Sequence, residues 1–398
     1  MGIHRRRAGV AIAGTWILLA TAAGVWSEAC IDTSGLAGDA GGGGDAAVTE
    51  PATEGGGGAG DAGDAGVDAF VGCGPKNIDC LGGACEAGVC VSVRLTAKDP
   101  DAGPALDIAL FGPHFYYLEA QTTSRPSTII RCPKEGGCLA ERKVIATIPT
   151  TVPPTDDHVL AVRADGVYYY SPETGGVAVA RAAIDGTGTP TVLTPVVGDA
   201  SEQIVVQGNH VYYTGSGKVW ACPITGCRPP SPGPVALATV ANRASGMAFY
   251  DGQLVYTEKA EVGAGARVVR MQLDGGGAAE YTPPPRYPRW VTVEPSRGVV
   301  VASFPDTSSP AKIALFSGTS YYYQVYEANL QYITVAADKD YVYFTQTAPQ
   351  ELHRKKWEAL ETEKVVAGYP FGLALDDKAI YYTHAYLGEE SGVLRRPK

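Results

Sequence analysis

Val211-Tyr212-Tyr213-Thr214 is one of seven short apolar stretches that recur along this 398-residue chain, and their spacing decides the fold. Each follows, across a polar turn, an earlier stretch of strand-like apolar residues, here Ile204-Val205-Val206. The other pairs are 106–110 with 115–118, 159–162 with 168–171, 247–249 with 254–257, 291–293 with 299–302, 333–336 with 342–345, and 373–375 with 380–383. Marked at Tyr116, Tyr169, Tyr212, Val255, Val301, Tyr343 and Tyr381, the repeat advances by 53, 43, 43, 46, 42 and 38 residues. A period near 40–45 built only of strand-like segments is the mark of propeller blades.

A third strand follows in most repeats, usually with arginine in register: Arg131, Arg181, Arg270, Arg354 and Arg395. Inter-blade packing or a solvated face accounts for such a register better than an anionic ligand. Asp-Gly turns (Asp185-Gly186, Asp274-Gly275) then lead to fourth strands, as at 142–147 and 234–239 in other repeats. Period-two alternation with hairpin turns predicts four-stranded antiparallel blades. Only the segment 357–363 hints at a helix, and it is short. The last repeat runs out before a fourth strand, whereas 91–96 precedes the first blade and reads as a fourth strand without one. Pairing the two closes the ring and removes an exposed sheet edge. The expected fold is therefore an all-β, seven-bladed propeller over 91–398, closed by its N-terminal strand and preceded by a disordered tether.

The N-terminal quarter is a different polymer. Arg5, Arg6 and Arg7 precede an uncharged run from Ala8 to Trp26, which reads as the core of an export signal ending at residue 29. That run is also long enough to span a bilayer, so retention as a membrane anchor is the alternative. Residues 30–72 hold two runs of four glycines, 41–44 and 55–58, and eight acids without Lys or Arg, a composition that stays solvated and extended. The chain carries a formal charge of −10; residues 1–30 contribute +2 and 31–72 contribute −8, which leaves −4 for the rest. No basic stripe is present to displace counterions, which excludes a nucleic-acid binder.

There are nine cysteines. Cys73, Cys80, Cys85 and Cys90 form a cluster over 73–90 whose gaps suit two local disulfides better than a zinc knot, with the connectivity open. Cys132 with Cys138, and Cys222 with Cys227, sit at the turn after the third strand and read as staples. Cys30 is left alone behind Ala29. That position resembles the bacterial lipobox, which implies acylation of Cys30, although Ser27 and Glu28 depart from the pattern. Ile31 after Cys30 is compatible with outer-membrane sorting on the same resemblance.

The second strands resemble the Tyr-Trp-Thr-Asp repeat of lipoprotein-receptor-type propellers. Tyr212-Tyr213-Thr214, Tyr343-Phe344-Thr345 and Tyr381-Tyr382-Thr383 keep aromatic-aromatic-Thr, and Tyr256-Thr257 keeps half; no repeat keeps the aspartate, and that family's ring has six blades. The whole layout is also similar to lipoproteins of large-genome soil bacteria. Both resemblances specify architecture and carry no catalytic residue.

Motifs for chemistry are sparse. His114, His158, His210, His353 and His384 form no close ligand pair, and neither a Gly-x-Ser-x-Gly elbow nor a phosphate loop is present. The sequence calls for no metal or cofactor. The loops from a fourth strand into the next blade offer the expected contact patch: Asp156 and Asp157, Arg286, Tyr287 and Arg289, and Tyr369, since Tyr and Arg are common binding anchors. The function expected is a non-catalytic, monomeric, exported binding or scaffold module held at the cell surface by its lipid, with a protein or glycan ligand. The alternatives are an extracytoplasmic lyase or hydrolase with its site at the channel mouth, and a purely structural envelope component. A His–acid pair at the mouth would favour the enzyme; an apolar or Tyr/Arg-rich mouth would favour binding.

Overall fold

Second strands decide the architecture because they are buried on both faces. His114–Glu119, Gly166–Glu173, His210–Gly215, Gly298–Ser303 and Ala379–His384 are each buried at four or more successive positions. A strand covered on both faces reads as a continuous apolar run rather than an alternating one, hence the Tyr- and Val-rich stretches. The faces belong to neighbouring blades. One core cluster joins blades four and five through Val255, Val268, Tyr281, Val301 and Phe316. Another joins blades six and seven through Tyr343, Leu352, Leu373 and Tyr382.

The computed structural model describes residues 79–398 apart from 87–88, 149–159, 198–202, 241–242, 260–264, 283, 285–286, 304–310, 319, 329–331, 348, 369 and 386–390. The expected signal segment, Cys30, the tether and Cys73 lie outside the described residues. Seven four-stranded antiparallel sheets follow one another. In chain order the blades begin at Ala105–Phe111, Ala161–Arg163, Ile204–Gln207, Arg243–Tyr250, Pro288–Glu294, Tyr332–Ala337 and Pro370–Leu375. These first strands pack side by side in sequence, and that of blade seven packs against that of blade one, so the ring is closed.

Closure uses the expected segment. Val93 pairs with Arg395 and Arg94 with Leu394, making Val93–Arg94 the fourth strand of blade seven. The Leu95 amide then donates to the Val393 carbonyl at 2.8 Å, while the Leu95 carbonyl accepts from the Cys138 amide of blade one at 2.7 Å.

Two details differ from the sequence reading. In blade two the residue opposite the third-strand arginine is Tyr168, paired with Arg181, and not Tyr169. The two-residue turn there matches those of blades one and three only with Tyr168 as the marker. The short helix among the described residues is Gly137–Ala140, inside the Cys132–Cys138 loop, and not in 357–363. Trp357 is instead 4% exposed and pinned, its indole N–H donating to the Asp338 carbonyl at 2.8 Å under the Arg297 guanidinium.

Disulfides join Cys80 to Cys90, Cys132 to Cys138 and Cys222 to Cys227. Cys85 is also disulfide-bonded, its partner lying outside the described residues. Such usage belongs to an oxidising compartment and points to export.

Candidate functional site

The seams around the axis are polar, and the threonines of the repeat make them so. The Thr257 hydroxyl accepts from the Gly246 amide of its own blade at 2.8 Å and donates to the Arg289 carbonyl of blade five at 3.1 Å. Thr383 repeats this with the Gly372 amide at 2.7 Å and the Leu106 carbonyl of blade one at 3.4 Å. The amides involved are freed from the ladder by bulges in the first strands, at 244–247 and 370–373. Thr345 accepts from the Thr334 amide at the corresponding bulge of blade six. Adjoining first strands approach so closely that a Cβ on Gly246 would lie 2.5 Å from the Arg289 carbonyl oxygen, and one on Gly372 would lie 2.9 Å from that of Leu106.

Blades three, four, six and seven have threonine at this position, blade two Tyr170 and blade five Ser303; blade one has Leu118, and there Asp107 takes over the bridging. Its carboxylate accepts from its neighbour Ile108 at 2.8 Å and from the Leu160 amide on the approach to blade two at 2.9 Å. Gln203, before blade three, likewise accepts from the Met247 amide of blade four. Asp107 is 3% exposed. An acid inside an apolar strand stretch was the signal for it in the sequence; Gln203 had none.

The first strands line an open pocket of about 340 Å³ on the axis. Trp290, Leu160, Leu373 and Val335 supply apolar wall, with Asp107 and Thr334 among the polar groups. Among the described residues no histidine lines it, and the Asp107 carboxylate in its wall already holds two backbone amides.

Of the contact patch read from the sequence, Asp156, Asp157, Arg286 and Tyr369 lie outside the described residues. Tyr287 is half-buried with φ +49° immediately before the first strand of blade five. The Arg289 guanidinium lies over the Trp290 ring, 4.5 Å from its centroid, and so backs the cavity wall. Sequence reasoning stopped one residue short of Trp290.

The described histidines near aromatic strands stand away from the axis. His114 and His210 occupy equivalent turns and pack against Tyr116 and Tyr212. Burial pushes His114 below the usual imidazole range, helped by Arg131. His353 sits 2.8 Å from Glu351 on the third strand of blade six, with its ring stacked on Phe344. Glu351 is also bound by Lys364. Among the described residues no three His, Cys, Asp or Glu side chains converge for a metal, and no helix is long and apolar enough to cross a membrane.

Three of the five third-strand arginines have partners within the protein. Arg131 bonds Glu141 at 2.8 Å and Arg354 bonds Glu363 at 2.7 Å. Arg395 donates to the Lys134 and Leu81 carbonyls.

The fold defines a seven-bladed β-propeller of four-stranded blades with a pocket on its axis. No protein-family model and no curated protein sequence matches the chain. Among solved structures, the chain is similar to the β-propeller domain of the Trilobed protease from Pyrococcus furiosus, which has an open velcro topology. That likeness has a TM-score of 0.52 and 11% identity, covering 74% of this chain and 95% of that one. A puromycin-hydrolyzing peptidase of Mycobacterium tuberculosis gives 0.52 and 14%, over 76% of this chain and 54% of that one. The extracellular domain of the one-component system BT4673 from B. thetaiotaomicron gives 0.51 and 9%, over 77% and 39%. At these identities the likeness is of fold alone.

Proposed function

We propose that the chain is an exported, lipid-anchored binding module without catalytic activity, which takes a protein or glycan ligand at the mouth of its axial channel. The observation that carries this reading is the cavity wall: Trp290 and aliphatic side chains set among mostly polar exposed surface, with its carboxylate, Asp107, committed to the blade seam. Export is supported by the disulfides, and anchoring by Cys30 standing apart from the paired cysteines.

Two measurements test it on the full-length chain. Metabolic labelling with radioactive palmitate should mark the wild type and not Cys30→Ala; an unlabelled wild type sinks the anchor. Intrinsic fluorescence should be titrated with solubilised peptidoglycan, envelope polysaccharide and envelope protein fractions. Saturable quenching that disappears in Trp290→Phe supports the channel site. Chemical turnover of any fraction by the purified chain replaces the binding module with an enzyme.

A further inference from the structure

Closing the ring with a two-residue strand has a side effect at the rim. The ladder from Val93–Arg94 ends at Arg395, so Arg396 and Pro397 have no described strand beside them on the outer side. Opposite stands Glu363–Ala367, the fourth strand of blade six. Between them lies a cleft of about 370 Å³, walled at one end by Val89 and Cys90, which the Cys80–Cys90 bridge holds in place. Among the described residues, four cations, Arg354, Lys364, Arg396 and Lys398, line it together with one carboxylate, Glu363. This concentration occurs in a region, 73–398, whose own net charge is −4.

Three of the cations have carboxylate partners: Arg354 bonds Glu363 at 2.7 Å, Lys364 bonds Glu351 at 3.3 Å and Lys398 bonds Asp338 at 2.7 Å. Glu363 is 58% exposed, so that pair is solvent-screened and readily exchanged. Arg396 is different. Its guanidinium donates to the Val365 backbone carbonyl within the cleft. Burial, together with the nearby Arg354 charge, pushes its basicity below the usual guanidinium range. A partly desolvated cation facing another cation gains most from an entering anion.

We propose that this cleft binds a phosphoryl group, gripped by the Arg354 and Arg396 guanidinium groups with Lys364 and Lys398 at its rim. Planar guanidinium forks match phosphate oxygens two at a time, and a phosphoryl group has enough oxygens to engage both forks at once where a carboxylate has only two. The walls are fixed by a disulfide and by sheet ladders, which limits the ordering cost of binding. The site is separate from the channel mouth and stands whether or not that site is real.

Calorimetric titration of the full-length chain with pyrophosphate tests it. One saturable site per chain is expected, weakening as salt is raised. Arg354→Gln/Arg396→Gln should weaken it by about tenfold or more, while Lys143→Gln in blade one leaves it unchanged. Circular dichroism melting shows whether the double variant is folded; should it not fold, Lys364→Gln/Lys398→Gln takes its place and must weaken binding. Co-sedimentation with phosphatidylglycerol vesicles separates the sources. Release from vesicles by pyrophosphate assigns the group to a lipid headgroup. Pyrophosphate binding, with vesicle retention equal in wild type and variant, assigns it to a soluble phosphate ester. Either result supports a phosphoryl site. No saturable binding at about millimolar pyrophosphate, or undiminished binding in the folded variants, overturns it.

Discussion

At the scale of single residues, the threonine of the aromatic-aromatic-Thr stretch does more than fill space. Thr257 and Thr383 each satisfy an amide released by a bulge and tie it to the next blade. Removing the hydroxyl while keeping the shape strands a buried donor, so Thr257→Val or Thr383→Val should cost about 1–3 kcal/mol in urea unfolding. A change below a few tenths in both would mean that water takes over the bond. These threonines were visible in the sequence because the repeat displays them. Asp107 stood out as an acid in an apolar stretch, but its bridging role was not legible, because it serves the same need from a different strand with different chemistry. Asp338 makes a pH argument of the same kind. Burial would raise its pKa, but Lys398 at 2.7 Å and the amides of Asp340 and Tyr341 outweigh that and hold it below the usual carboxylate range. A depressed folded pKa stabilises above the unfolded value, and the gain is lost as pH falls through the folded one. Asp338→Asn should therefore be less stable than wild type at pH 7, and the two should converge between about pH 4 and 2. A constant gap down to the lowest pH would remove this carboxylate from the ledger.

At the scale of elements, strand positions were legible because burial on both faces imposes an unbroken apolar run that periodicity detects. The one-residue slip in blade two came from three successive tyrosines, 168–170, which offer no internal landmark; the pairing of Tyr168 with Arg181 supplies it. The helix at Gly137–Ala140 was not legible, since four residues carry no period, and the left-handed backbone at Gly136 and Gly137 is what turns the loop. The stapled loops were legible from cysteine spacing alone. Cys222 and Cys227 are both fully buried, five residues apart, and their loop borders a groove containing His210, Pro232 and Leu273. Cys222→Ser/Cys227→Ser should lower stability by about 2 kcal/mol on loop entropy, more if the buried hydroxyls find no partner. Equal denaturant midpoints for variant and wild type would show the staple to be idle.

At the scale of the molecule, ring closure was readable because the repeat left one blade a strand short and one strand without a blade. The chemistry of the proposed ligand was not readable: it depends on where mouth side chains point, and loops set that without a repeat. Leu95 is the residue on which closure converges. Its amide bonds blade seven, its carbonyl bonds the stapled loop of blade one, and its side chain, 2% exposed, packs among Ala105, Phe115, Tyr381 and Val393. The Ser391 hydroxyl reinforces the same seam by accepting from the Ala105 amide and donating to the Gly103 carbonyl. Leu95→Ala should cost about 2–5 kcal/mol from the lost contacts and the cavity. The loss should also be local first, because the other six seams keep all their contacts. Hydrogen exchange should speed up in Gly392–Pro397 and Ala105–Phe111 before it does in Ile204–Gln207 or Arg243–Tyr250. Uniform loss of protection around all seven blades would mean that the ring opens as a single cooperative body, and that this seam is no weaker than the rest.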